Sequence, residues 1–155
     1  MVNLDYQFTI LRTTRRNLLD LIDNYSLDQL NVIPDGFRNN LLWNAGHVLA
    51  TQQLLTYGLT SQEFGIPQHF IDQFRKGTAP SAPYTSETLS FIKESLIQTV
   101  EVLESDYKNG IFEGEFQAYP TSYGVVLHDV VAAICFNNVH EGLHLGYCMA
   151  LRKHL

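Results

Sequence analysis

Val139-His140-Glu141-Gly142-Leu143-His144 lies inside a long helical pattern near the C-terminus, and its reading decides the fold. Two imidazoles four residues apart are one helical turn apart, so both leave the same face and can share one metal ion. With six His in 155 residues, roughly 0.2 such pairs arise by chance, which makes the spacing a signal. A two-His site on one helix needs further ligands from facing helices. The same letters also spell HExxH, the zinc metalloprotease signature.

The protease reading fails on its third ligand. A catalytic zinc takes three protein ligands and keeps one open position. The metzincin position for a third His is Ala150, and no Asp or Glu follows Glu141. His154 falls ten residues beyond His144, about 15 Å along the axis, too far to join. A third ligand has to come from upstream.

Composition narrows the remainder. The chain has 155 residues and 45% hydrophobic content, which predicts one domain over residues 1–155 with a core that needs no staples. Cys135 and Cys148 both sit in apolar helical pattern, which suits a reducing, cytoplasmic setting and inert core thiols. The opening residues lack the apolar stretch of a signal peptide, and no run approaches a membrane span. A formal charge of −6 argues against a nucleic-acid partner. Arg12, Arg15 and Arg16 cluster on the first helix and read as a solvated face rather than an anion site.

Four main helices are expected. The first spans about Asn3 to Asn24, with Phe8, Leu11, Leu18, Leu19 and Ile22 as its apolar stripe. Ser26 to Gln29 resembles a capping box for a short turn, broken at Pro34-Asp35-Gly36. Asn39 or Asn40 caps a second helix from Leu41 to about Tyr57, ended by Gly58. A connection rich in Gly and Pro follows to Pro83, with a short helix over Pro67 to Phe74. Ser86 caps a third helix to about Tyr107, closed by Asn109-Gly110. The segment Ile111 to Tyr119 reads as extended or irregular, and a fourth helix opens at Thr121 or Ser122 and runs to about Lys153. The class is therefore all-α, a four-helix bundle. The long connection between helices two and three lets them run parallel, predicting up-down-down-up topology.

Bundle cores assemble metal sites from facing helices, which brings in His47 on the second helix. Its neighbours in Leu42-Trp43-Asn44-Ala45-Gly46-His47-Val48-Leu49 are apolar or small, so the imidazole is not on a simple polar face. Taken alone it reads as a hydrogen-bonded core residue; beside a two-His site it reads as a ligand. Three neutral imidazoles with an open position describe a site for activated water or thiolate.

Trp43 and His47 on helix two, with His140-Glu141-x-x-His144-x-Gly146 on helix four and Leu151-Arg152-Lys153 beyond, resemble the DinB/YfiT-like superfamily. The resemblance follows helix order along the whole chain, with specific motifs over some twenty residues. It implies a four-helix up-down-down-up bundle, often a homodimer, with a divalent metal held by His47, His140 and His144. It also implies thiol S-transferase chemistry with bacillithiol, mycothiol or glutathione, or thiol-dependent isomerisation. The stretch from Gly58 to Pro83 matches no specific subfamily.

The expected activity is transfer of a low-molecular-weight thiol, held on zinc or nickel, to an electrophilic small molecule. The alternatives are hydrolysis by activated water and a metal-binding module without turnover. Glu141 reads either as a base on that water or as a residue supporting a ligand or lying at the surface. Asn44 and Asn137, one turn before His47 and His140, line the pocket or bond to backbone. Trp43 reads as pocket wall or core, and His69 and His128 as surface or satisfied polar groups.

Overall fold

The computed structural model describes residues 2–155. Its helices are α1 (Asp5–Asp23), α2 (Leu27–Asn31), α3 (Leu41–Thr56), α4 (Gln68–Phe74), α5 (Ser86–Lys108) and α6 (Val130–Leu151). The four long ones, α1, α3, α5 and α6, form an all-α bundle. A small antiparallel sheet, β1 (Tyr119–Pro120) and β2 (Val126–Leu127), is added at one end.

Local chemistry accounts for most boundaries. The Ser26 hydroxyl accepts from Gln29 N while the Gln29 side chain accepts from Ser26 N, so the capping box forms as its letters predict. Asn40, not Asn39, caps α3, its Oδ1 accepting from Trp43 N at 2.8 Å. Thr85 rather than Ser86 caps α5, with its hydroxyl accepting from Thr88 N. The largest departure is α6, which starts at Val130 and not at Thr121 or Ser122. Residues 119–127 instead form a hairpin, turned at Gly124 (φ 92°) and closed by Thr121 N and Oγ1 donating to Val125 O. Asp129 then caps α6 by accepting from Ala132 N at 2.7 Å.

Side-chain pairings define how neighbours run. Lys108 meets Asp5 and Lys93 meets Asp23, so α1 and α5 are antiparallel. Asn138 donates to Gln7 and Glu141 pairs with Arg15, so α1 and α6 run the same way. Asn44 meets His144 while Leu55 packs with Ala133, so α3 and α6 are antiparallel.

Helix α3 has no charged side chain and is buried almost throughout, its polar residues Asn44, His47, Gln52, Gln53 and Thr56 included. Its Gly46 takes the Phe74 ring of α4 directly on its backbone, where any Cβ would overlap the ring. That close approach matters for the site, because it carries the Phe74 carbonyl to His47.

Arg15 corrects the solvated-face reading of the arginine cluster. Arg12 does lie near the surface and pairs with Glu101 and Glu104. Arg15 is fully buried and donates to Glu141 of α6, Leu96 O and Thr99 of α5, and Val48 O and Gln52 of α3. It thus joins all four long helices. Leu11 and Leu18, one helical step either side of it, belong to separate apolar clusters, so the guanidinium forms a polar layer across the core. A charge buried like this is tolerated only because nearly every donor is met.

Candidate metal centre

His47 on α3 and His140 and His144 on α6 converge. One ring nitrogen from each lies within 4.8 Å of the other two. Such atoms lie within about 2.8 Å of a common point, close to the Zn–N bond length near 2.1 Å. The ring centroids are 4.5 to 5.1 Å apart.

The surroundings set two of the tautomers. A carbonyl can only accept, so the 2.7 Å contact of His47 Nδ1 with Phe74 O places the proton on Nδ1 and leaves Nε2 with its lone pair. His144 Nδ1 lies 2.8 Å from Asn44 Oδ1. The Asn44 amide is itself oriented by donating to Asn40 O and Asn39 Oδ1, so its oxygen faces His144, which donates. Both are the hydrogen bonds that orient ligating imidazoles. His140 Nδ1 is buried with no hydrogen-bond partner, which leaves unmet bonding capacity within the triad. His47 Nε2 has the Thr51 hydroxyl as a neighbour at 3.3 Å, and three neutral imidazoles with one lone pair each fit a divalent ion, so the donor set can hold one. Trp43 stacks on His47 at 4.6 Å and donates from Nε1 to Thr78, so it is a wall of the site.

Burial pushes all three imidazole pKa values down, His140 to about 3 and His144 to about 4; repulsion from neighbouring imidazoles adds to it at His140 and His144, while the bond to Phe74 O opposes it at His47. The sign of the linkage follows. Below pH 6.5 the unfolded chain takes up protons that the folded triad refuses, so metal-free protein loses stability as pH falls from about 6.5 toward 4. Each of His140 and His144 contributes up to about 1.4 kcal/mol per pH unit. Urea midpoints of chelator-treated protein should therefore fall between pH 7 and pH 5; equal midpoints would contradict the burial.

Glu141 does not face the triad's open side. Its two oxygens accept from Arg15 Nε at 2.5 Å, Arg15 Nη2 at 2.7 Å and Asn137 Nδ2 at 2.7 Å, deep in the core. Asn137 is therefore a partner of Glu141 rather than a pocket residue. His69 and His128 are exposed and apart from the triad. Burial pushes the Cys148 thiol up to about 12 and also raises Cys135, the opposite of activation.

A cavity of about 430 Å³ opens beside His47 and His140. Its walls come from α3 and α6, from the α3–α5 connection and from the 117–122 segment, where Gln117 N donates to Leu59 O at 2.7 Å. Sequence patterns did not reveal it, because those residues meet only in the fold.

The family model described as the DinB superfamily matches residues 10–148. The chain belongs to the DinB superfamily. A crystal structure of a conserved protein from Enterococcus faecalis has a TM-score of 0.67 to this DinB chain at 11% identity, covering 99% of this chain and 96% of that one. No curated protein matches. The DinB fold is often metal-binding, in keeping with the convergent histidines.

Proposed function

We propose that this DinB protein is a metal-dependent S-transferase that joins a low-molecular-weight thiol to an electrophilic small molecule. The observation that carries the reading is the all-imidazole triad opening onto a cavity, with no carboxylate turned toward it. Zinc or nickel suits three imidazoles, with His47, His140 and His144 as ligands. When bound there, the ion supplies the Lewis acidity that lowers a thiol's pKa toward neutrality. The chain's own groups do the rest: Phe74 O and Asn44 hold two imidazoles in the ligating tautomer, and the apolar side chains of the cavity take the body of the electrophile. The sulfur forms the new bond to carbon, the leaving group departs with the bonding pair, and the thiol proton goes to solvent. Hydrolysis would need a base on water, and Glu141 is already engaged by Arg15.

Adding bacillithiol, mycothiol or glutathione to cobalt-loaded protein should change the cobalt spectrum and release about one proton per site. Conjugation to monobromobimane should then exceed background and vanish in His144→Ala. A spectrum indifferent to all three thiols would remove the basis for transfer.

The helix senses described above support an up-down-down-up bundle. A homodimer is supported by Val139, Leu143 and Tyr147, which form an exposed apolar stripe at four-residue spacing on α6. Sedimentation should give twice the 17.6 kDa chain mass, and Leu143→Asp should yield monomer. A wild-type monomer at micromolar concentration would refute this. The two free thiols fit a cytoplasmic setting, and no described helix is long and apolar enough to cross a membrane.

A further inference from the structure

The cavity beside the triad has a chemical polarity of its own. Leu54, Leu55, Leu59, Phe64 and Phe136 make it largely apolar, and its volume of about 430 Å³ falls in the range of small-molecule pockets, roughly 300–1,000 Å³. Apart from the histidines, one charged side chain lines it: Lys76. Lys76 makes no ion pair among the described residues, in a chain whose formal charge is −6.

Its backbone is well placed. Phe74 O is held by His47, and Thr78 Oγ1 accepts from Trp43 Nε1 while Thr78 N and Oγ1 both donate to Arg75 O. The turn bearing Lys76 is thus tied to α3 on both sides, through His47 of the triad and through Trp43, which stacks on it. One exposed lysine on the lining of a largely apolar cavity that His47 and His140 also line selects for a molecule with an apolar body and one acidic end. A phosphate or a dianion would call for an Arg fork or a second cationic side chain, and the lining, with Lys76 and the hydroxyl and amide groups of Thr51, Gln117, Tyr119, Thr121 and Ser122, supplies neither.

We infer that this cavity binds an apolar monoanion, of the aryl or alkyl carboxylic acid class, with its acid group on Lys76 and its apolar body lying toward His47 and His140. For the reaction, the inference rests on the transferase reading above: the electrophilic substrate would be such an acid carrying a displaceable group, such as a halide, on its apolar body, the thiol sulfur bonding to that carbon as the halide leaves with the bonding pair. The binding itself needs no metal.

The test compares 4-phenylbutyrate with its neutral counterpart 4-phenylbutanamide, measured by calorimetry on wild type, Lys76→Met, Leu59→Trp and His144→Ala. Wild type should bind the acid about tenfold tighter than the amide, as a charge-assisted hydrogen bond requires. Lys76→Met should erase that preference and leave amide affinity unchanged, and Leu59→Trp should weaken both ligands by filling the cavity. The metal-free His144→Ala protein should keep the Lys76-dependent preference. Equal affinity for acid and amide, or no saturable binding of either at millimolar concentration, overturns the inference. So does an acid preference that survives Lys76→Met and appears only with zinc bound; that result would place the acid on the ion and leave the metal reading intact. Lys76-dependent binding in a protein that takes up no metal would support the cavity assignment and sink the transferase instead.

Discussion

Replacing Arg15 with Met should lower the melting temperature by roughly 6 to 20 °C, the largest effect expected of any single side chain in this protein. The substitution leaves the Glu141 carboxylate in the core with Asn137 as its remaining donor. Breaking a buried pair from one side typically costs about 3–5 kcal/mol, because the surviving charge is left uncompensated. At this chain length each kcal/mol moves the midpoint by roughly 2–4 °C. The double variant Arg15→Met/Glu141→Leu should recover most of the loss, since apolar replacement of both partners removes the desolvation cost with them. A midpoint within 2 °C of wild type for Arg15→Met alone would show that the pair is not load-sharing among the helices. The consequence reaches the metal centre, because Val48 and Glu141 adjoin His47 and His140 in the chain.

The second large effect concerns the ion. Protein purified without a His tag should carry or take up one divalent metal per chain, read by elemental analysis. At a free concentration a hundredfold above its dissociation constant, zinc should stabilise the fold by about 2.7 kcal/mol, or roughly 5–11 °C. Losing an outer hydrogen bond to a ligand commonly costs 10- to 100-fold in affinity, so deleting a ligand outright should cost more than about a hundredfold. His144→Ala should therefore lose both the metal and the thermal shift. His154→Ala should keep both, because His154 is exposed on the terminal turn against Phe37. Metal lost from His154→Ala and retained by His144→Ala would overturn the ligand set.

The elements that local chemistry specifies were legible in the sequence. The capping box at Ser26, a cap at Asn39 or Asn40, the short helix ending at Phe74 and the stop at Asn109-Gly110 all depend on residues within a few positions of one another; the choice of Asn40 came from the fold. The His140–His144 spacing is of the same kind, since one helical turn is a property of the local backbone. His47 was legible only through its motif and the expectation of a bundle, because nothing local distinguishes a ligand from a buried imidazole. The start of α6 was misread because apolar pattern before Val130 continues into a hairpin. The Gly124 turn and the Asp129 cap outweigh that pattern.

The sequence by itself determined an all-α chain, its approximate helix spans, and the presence of two imidazoles on one face of the last helix. Tertiary structure alone decided that Arg15 is a core residue, that Glu141 serves Arg15 rather than the open site, and that Lys76 stands at the edge of the cavity. Helix propensity and capping act over one or two turns, so they can be read along the chain. A buried charge or a cavity wall is settled by groups far apart in sequence, 126 residues apart for Arg15 and Glu141, and only their convergence offsets the cost of removing a charge from water.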